Sequence, residues 1–99
     1  MISRQWCGLA RPECADDYVA HLRSETFPQL SKITGFVDAS ILRRPSGGGV
    51  EFLIVTQWES LKAIQQFAGE DVERAVVPES VHAMMLDYDR TVRHYDVLD

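Results

Sequence analysis

An α+β fold with one antiparallel sheet is the fold class that this sequence of 99 residues predicts. The strongest indication is the run Val50–Trp58, in which positions 52–55 are apolar in succession instead of alternating with polar residues. Because successive side chains of a strand point to opposite faces, both faces of this strand require burial, as in the middle of a sheet. Two amphipathic helical segments can cover one face. A second copy of the chain is expected to cover the other, so the protein is predicted to be a homodimer.

The first part of the chain predicts a strand followed by an amphipathic helix. Residues 2–10 are predicted to form the strand, and Pro12 opens the helix. Pro28 lacks a backbone N–H, so the helix must break or restart there before it reaches Gly35, its predicted C-cap. The apolar face of this helix recurs at helical spacing through Ala15, Tyr18, Val19, Leu22, Leu30 and Ile33.

A hairpin and a second helix are predicted next. Residues 36–44 are predicted as the second strand, residues 45–49 as the hairpin loop, and residues 50–58 as the third strand. Ser60 has the right side chain and position for the N-cap of a helix that Gly69 ends. This hairpin places the most apolar strand directly after a glycine-rich turn.

The last third of the chain predicts shorter elements. Residues 70–75 and 79–85 are predicted as short helical turns separated by Pro78, and residues 86–97 as a fourth strand at the sheet edge. The order strand, helix, strand, strand, helix, strand is that of the ferredoxin-like fold, whose four-stranded antiparallel sheet has its first and third strands in the centre. Residues 1–99 are expected to form a single domain.

Charge and hydropathy argue against several classes of partner. Fifteen acidic residues against ten basic ones give a net charge of −5, and the bases are scattered, so no nucleic-acid surface is predicted. No apolar stretch approaches the about eighteen residues of a membrane span. Residues 1–6 do not begin a signal peptide, so a cytoplasmic location is expected. Cys7 and Cys14 are expected to be reduced and inert, and no metal site is predicted.

Several motifs resemble the antibiotic biosynthesis monooxygenase family of dimeric α+β barrels. They are Gly35-Phe36 at the start of the second strand and Gln57–Ala63 followed by Phe67-Ala68-Gly69. Together with the length and the order of elements, the resemblance spans nearly the whole chain. It implies a dimeric barrel. It also implies one of two activities known in the family: oxidation of aromatic polyketides or quinol-like molecules by molecular oxygen without a cofactor, or degradation of heme. Many relatives have no assigned activity, and a fold does not supply one.

The side chains that carry the family's known chemistry are missing here. That chemistry relies on an asparagine beside the substrate, often helped by a tryptophan or an arginine, and this chain contains no asparagine. In the heme-degrading branch a tryptophan and a histidine matter. Matching through residues 70–72 puts Phe67 and Val77 at those positions and Trp6 near the first-strand asparagine. The resemblance therefore implies that the chain is not a heme-degrading enzyme and that any oxygenase activity needs no cofactor.

The candidate substrate-binding residues are aromatic, and they are Trp6, Trp58, Phe67 and Tyr88. Trp6 and Trp58 lie on strands predicted to be adjacent, so they could form the aromatic wall of a pocket. The alternative for Trp58 is that it fills the core. Trp6 shares its strand face with Arg4 and Gly8, and a small residue beside a large aromatic one can leave room for a ligand.

His82 and Arg90 are the candidate catalytic residues. His82, on a short helical turn, could act as a general base. Arg90 shares a strand face with Tyr88 and His94, and it could stabilise an enolate or phenolate as charge develops. The structural alternatives are a solvent-facing His82, an intersubunit ion pair for Arg90 and an interface hydrogen bond for His94. His21 lies off the apolar stripe of its helix and is predicted to be at the surface.

Two functions remain open from the sequence. In the first, the protein is a cofactor-free oxygenase that holds an electron-rich aromatic molecule while His82 or Arg90 promotes its deprotonation. In the second, it is a non-catalytic protein of the same fold that binds a small molecule or assists another enzyme. The absence of asparagine favours the second function, and the retained aromatic residues favour the first.

Overall fold

The computed structural model describes residues 1–99 and contains five strands and four α-helices. The strands are β1 (Ile2–Ala10), β2 (Phe36–Ser46), β3 (Gly49–Trp58), β4 (Met85–Tyr88) and β5 (Arg93–Asp96). The sheet order is β2-β3-β1-β4, and β5 pairs with the same edge of β1 as β4 does. All pairings are antiparallel, and the predicted α+β, ferredoxin-like fold is confirmed. The α-helices are α1 (Ala15–His21), α2 (Phe27–Leu30), α3 (Leu61–Ala68) and α4 (Glu79–His82).

The central position predicted for the third strand is confirmed. β3 pairs with β1 on one side and with β2 on the other. Its side chains alternate in burial, since Phe52, Ile54 and Trp58 are buried whereas Leu53 and Val55 are only half-buried. We call the first face of the sheet the helix-facing side and the second the open side. Within one chain, only the helix-facing side of this strand is covered.

The first helical segment is present but changes its winding along its length. A 3₁₀ turn at Pro12–Cys14 leads into α1, a π-helical turn covers Leu22–Thr26, and α2 follows. Pro28 cannot donate to the carbonyl four residues before it, and its ring crowds that carbonyl, so a wider turn ahead of Pro28 has a physical cause. The segment ends at Leu30, ahead of the predicted C-cap Gly35, and non-helical turns connect the two.

The hairpin is tighter than the sequence predicted. β2 extends to Ser46 and β3 begins at Gly49, so the predicted loop over residues 45–49 shrinks to Gly47 and Gly48. Both glycines have positive φ, 45° and 83°. Positive φ at both central positions is the geometry of a type I′ turn, whose twist matches that of the strands. Ser60 caps α3 as predicted, since its hydroxyl accepts from the backbone N–H of Ala63.

The helical turn predicted over residues 70–75 is reduced to one hydrogen-bonded turn, in which the N–H of Arg74 donates to the carbonyl of Asp71 at 3.1 Å, and the rest of this backbone pairs with another segment. Arg74 forms an isolated antiparallel bridge with Thr91. The N–H of Ala75 donates to the carbonyl of Arg90 at 2.9 Å, and the N–H of Val92 donates to that of Glu73 at 2.7 Å. Residues 72–78, which we call the covering segment, are thereby tied to the sheet edge. Long-range pairing of this kind leaves no periodic signal in the local sequence.

The predicted fourth strand is divided in two. β4 pairs with the end of β1 and β5 pairs with its beginning, and between them residues 90–92 pair outward with the covering segment. The predicted helix over residues 79–85 is also shorter than expected, since α4 ends at His82. No helix is long and apolar enough to pass through a bilayer.

Two groups of buried side chains form the core on the helix-facing side. The larger one includes Tyr18, Phe52, Ile54 and Val81, and the smaller one joins Leu30, Trp58, Ala63 and Ile64. Both groups contribute side chains to the wall of one internal space, which lies between them.

Candidate functional site

A cavity of about 130 Å³ lies between the helix-facing side of the sheet and the helical segment 12–30, and it is partly open to solvent. An engineered cavity of about 150 Å³ binds benzene, so this space suits one aromatic ring. The covering segment supplies Val76, Val77 and Pro78 to its wall. The aromatic residues in the wall are Trp6, Tyr18, Phe27 and Phe67, and the polar ones are Arg4, His21, Thr26, Gln29 and Thr56.

The Trp6 side chain is held in a defined position in the cavity wall. Its indole N–H donates to the backbone carbonyl of Asp89 at 2.7 Å. Its ring lies 6.2 Å from that of Tyr18 and 6.3 Å from that of Tyr88 between centroids. A Cβ atom added at Gly8 would lie 2.4 Å from the Trp6 ring, so only glycine allows the ring to lie along the strand. The sequence predicted that Gly8 leaves space for a ligand beside Trp6, but the Trp6 ring itself fills that space.

Arg4 brings a positive charge into the wall. It is only 5% exposed, and it shares the helix-facing side of β1 with Trp6. Its Nη1 donates to the carbonyl oxygen of Val72, and its Nη2 donates to that of Arg74 at 3.0 Å. The guanidinium carbon lies 5.7 Å from the centroid of the Phe67 ring, in cation–π range. Burial lowers the pKa of Arg4 to about 10, so the side chain is still charged at neutral pH.

His94 is the remaining polar neighbour of Arg4. The two residues face each other in the β1–β5 pairing, and His94 Nε2 lies 3.0 Å from Arg4 Nη1. An arginine can only donate, so Nε2 accepts and the imidazole is neutral with its proton on Nδ1. Burial and then the charge of Arg4 lower the pKa of His94, while Glu73 acts in the opposite direction. His94 therefore contributes an acceptor within its own chain.

His21 contributes a polar atom with no partner. It is the last residue of α1 and lines the cavity, and its Nε2 is buried without a hydrogen bond. Leaving a buried polar atom unpaired costs about 1–3 kcal/mol, which a molecule in the cavity could recover. The prediction of a surface position is wrong for His21, because a helical repeat gives the angle around the helix but not what packs beside it.

The predicted aromatic residues fall into different environments. Trp6 and Phe67 line the cavity. Trp58 is fully buried in the core behind it, where its indole N–H donates to the hydroxyl of Thr56 at 2.9 Å and its ring stacks on Phe67 at 6.2 Å between centroids. Trp58 thus orients two wall residues without reaching the cavity. Tyr88 is half-buried on the far side of Trp6, and it does not line the cavity.

His82, Tyr88 and Arg90 form a second cluster at the surface. The rings of His82 and Tyr88 stack at 5.3 Å between centroids, and the Arg90 guanidinium carbon lies 5.0 Å from the Tyr88 centroid. His82 Nε2 is 3.1 Å from the carbonyl oxygen of Val77. Both His82 and Arg90 are exposed, and neither lines the cavity. Their catalytic roles stay predictions, while Arg4 and His21 are the polar wall residues that the sequence reasoning did not select.

The profile of the family described as antibiotic biosynthesis monooxygenase matches residues 9–78, more than half of the chain. The chain belongs to this family. The resemblance stated from the sequence motifs is thereby confirmed. A comparison with curated proteins found no match.

Solved structures agree with the fold of an antibiotic biosynthesis monooxygenase. One structure described by that name has 17% identity and a TM-score of 0.71, with 100% of each chain covered. A Bacillus cereus protein described as a candidate member has 19% identity and a TM-score of 0.70, covering 100% of this chain and 93% of the other. The heme-degrading MhuD of Mycobacterium tuberculosis, solved with two hemes in its active site, has 17% identity and a TM-score of 0.61, covering 100% and 97%. Identities this low establish the fold alone.

Family membership gives three cavity positions a further meaning. Trp6, Phe67 and Val77, the positions that the sequence resemblance matches to functional residues of the heme-degrading members, all line the cavity. The space between the sheet and the helices is thus the candidate site of this antibiotic biosynthesis monooxygenase family chain.

Proposed function

We propose that this family member binds a small electron-rich aromatic molecule in the cavity and oxidises it with molecular oxygen without a cofactor. The observation that carries the proposal is the cavity itself: a ring-sized space, walled by Trp6, Tyr18, Phe27 and Phe67, with a cation and an unpaired imidazole nitrogen in the same wall. Pockets that are mainly apolar with a few polar groups are the usual form of small-molecule sites.

The volume of the cavity limits the substrate. A space of about 130 Å³ accepts a single ring, and a second fused ring would have to extend toward the side that is open to solvent. A phenol, a hydroquinone or a naphthol fits this description better than a large polycyclic polyketide.

The wall contains groups suited to the first step of such an oxidation. The unpaired Nε2 of His21 is placed to accept the phenolic proton, and Arg4 can stabilise the phenolate that forms. The phenolate then gives electrons from a ring carbon to O₂, forming a C–O bond and a hydroperoxide at that carbon. Loss of the remaining C–H proton breaks the O–O bond and leaves a carbonyl. The substrate loses four electrons and two protons, and O₂ ends as the carbonyl oxygen and one water.

We also propose that two copies of the chain form a homodimer in which the open sides of their sheets pack against each other. Apolar side chains extend across this side from the central strands to the edges, and several are nearly half exposed in one chain, including Leu42 at 48%, Leu86 at 46% and Tyr95 at 48%. Exposed apolar patches of more than a few hundred Å² usually mark an interface. The side chains on this patch are Leu9, Leu42, Leu53, Val55, Leu86 and Tyr95.

The second candidate function, a non-catalytic binding or accessory protein, is favoured by a different observation. The chain has no asparagine, so the family's usual polar partner of the substrate is missing. In this case the same cavity would hold a small molecule without changing it.

Oxygen consumption distinguishes the two functions. Chelator-treated protein is given 1-naphthol or hydroquinone in an oxygen electrode, and product is followed by absorbance. We expect a rate above spontaneous oxidation that falls by roughly tenfold or more in His21→Ala, because general acid–base help is worth about 10² to 10⁴ in rate. His82→Ala is the matched histidine control and should stay within about twofold of the parent.

Three outcomes of this experiment count against parts of the proposal. A large loss in His82→Ala with none in His21→Ala would return the catalytic role to the surface cluster. Equal rates in both variants and the parent would remove both histidines from the mechanism. Saturable binding of these aromatics without any turnover would establish the accessory function.

A further inference from the structure

Arg4 is a buried cation that has no anion beside it. The two ion pairs of the chain, Arg43 with Asp16 and Arg44 with Glu51, both involve exposed arginines far from the cavity wall. Arg4 is 5% exposed and pairs with neither an aspartate nor a glutamate. Since removing a charge from water is costly unless the charge is paired, this arrangement needs an explanation.

The partners that Arg4 does have are all neutral. A guanidinium carries five N–H donors, and three of them point to the carbonyls of Val72 and Arg74 and to His94 Nε2. Two donors remain, the Nε–H and one hydrogen on Nη2. His94 cannot act as the counterion, because an imidazole is either neutral or positively charged. The charge of Arg4 and two of its five N–H donors therefore have no partner within the chain and are available to a ligand.

Arg4 holds the covering segment against the sheet, but this role explains only part of its surroundings. The bonds from Arg4 to the backbone of residues 72 and 74 hold that segment against the sheet. That segment is also tied down by its pairing with residues 90–92, however. Holding the covering segment accounts for the hydrogen bonds from Arg4 to the two carbonyls. It does not explain why Arg4 keeps two N–H donors without partners or why it lies in the wall of an aromatic-lined cavity.

We infer that the ligand of the cavity is an aromatic carboxylate, with its ring against Trp6 and Phe67 and its carboxylate on Arg4. A carboxylate accepts two N–H donors of a guanidinium in a fork and supplies the missing negative charge. The size of the cavity restricts the ring system to one ring or two fused rings. The inference rests on the proposed binding of aromatic molecules but not on their oxidation.

Matched ligand pairs test the inference on the unmodified protein. Benzoate is compared with benzamide, and 2-naphthoate with 2-naphthamide, by calorimetry and by quenching of tryptophan fluorescence. The two members of each pair have nearly the same shape and differ in charge. We expect the acid to bind at least about tenfold more tightly than the amide, since hydrogen bonds to a charged group contribute about 1.5–3 kcal/mol.

Variants at position 4 then locate the effect. Arg4→Gln should bring the acid and the amide to within about twofold of each other, and Arg4→Lys should keep part of the difference because it retains the charge without the fork. Arg11→Gln removes an exposed arginine outside the cavity wall, and it should leave the tenfold ratio unchanged. Circular dichroism and melting curves show whether each variant is folded, and Arg4→Lys remains informative if Arg4→Gln is not.

Several results would overturn the inference. These are equal affinities for acid and amide in the unmodified protein, a preference for the acid that survives in folded Arg4→Gln, and no binding of either ligand class. Failure of the inference is distinct from failure of the proposed oxidation. Neutral phenols that are bound and oxidised with no preference for acids would leave the oxidation standing, whereas Arg4-dependent binding of carboxylates without oxygen uptake would leave only the inference standing.

Discussion

The two sides of the sheet use the same strand for different purposes. On β3, Phe52 is fully buried against the helices, whereas its neighbour Leu53 lies half-buried on the open side. The helix-facing side is complete within one chain and encloses the cavity. The open side carries apolar side chains that one chain cannot cover. The difference shows that one side of this strand forms the core and lines the cavity, while the other leaves apolar side chains partly exposed to solvent.

The polar groups of the two sides differ in the same way. On the helix-facing side Arg4 and His21 have charge or hydrogen-bonding capacity left over inside an apolar wall. On the open side Arg44 pairs with Glu51 at 2.8 Å, and Arg93 is exposed to solvent. Burial, followed by the acidic neighbours Asp89 and Glu51, raises the pKa of the Cys7 thiol and keeps it protonated. Unused polar capacity therefore points to the cavity as the place for ligand chemistry.

The largest expected effect compares two neighbouring residues on opposite sides. Phe52→Ala should cost about 3–5 kcal/mol in the free energy of unfolding, because it removes a fully buried ring and leaves a cavity. Leu53→Ala should cost clearly less within one chain, since its side chain is already half-exposed. Urea unfolding at the same low protein concentration, with equal m-values, measures both. A similar loss for the two variants would show that the open side is as much a part of the core as the helix-facing side.

The next effect concerns assembly through the open side. Sedimentation equilibrium at micromolar concentration should give about twice the chain mass of 11.2 kDa. Leu53→Asp should shift the protein to the monomer, or unfold it, because an unpaired carboxylate would be buried in the interface. Leu98→Asp introduces the same charge at a residue that is 89% exposed, and it should leave the mass unchanged. A well-folded monomer of the parent chain across this range would exclude the barrel.

The smallest expected effect is on heme. Hemin titrated into the protein should give a weak Soret change that does not saturate at one equivalent, because Phe67 and Val77 replace the functional side chains of the heme-degrading relatives. MhuD serves as the positive control, and Val77→His restores a histidine at the matched position and should strengthen binding. A saturable Soret shift in the parent, followed by loss of heme when reductant is added, would show that the helix-facing cavity opens far beyond its present size.

The spacing of apolar residues along the sequence predicts most of the fold but few of the residues that line the candidate site. The four predicted strands and the first and third helices follow from local patterns, and the central position of β3 follows from its run of apolar residues. The segment at residues 70–75 and the division of the last strand could not be predicted locally, because both arise from the pairing of Arg74 with Thr91. Trp6 and Phe67, two of the predicted substrate-binding residues, line the cavity, and Arg4 was visible only as a residue on the same strand face as Trp6.

The sequence by itself determined the order of the elements, the family, and the two-sided character of β3, since these depend on residues close together in the chain. The tertiary structure alone decided which polar groups reach the cavity. His82 and Arg90 have suitable chemistry but lie at the surface, whereas Arg4 and His21 line the space. The physical reason is that hydrogen-bond partners and missing counterions are properties of residues brought together from distant parts of the chain. Arg4 finds its neighbours at positions 72, 74 and 94, and no local pattern records that they meet.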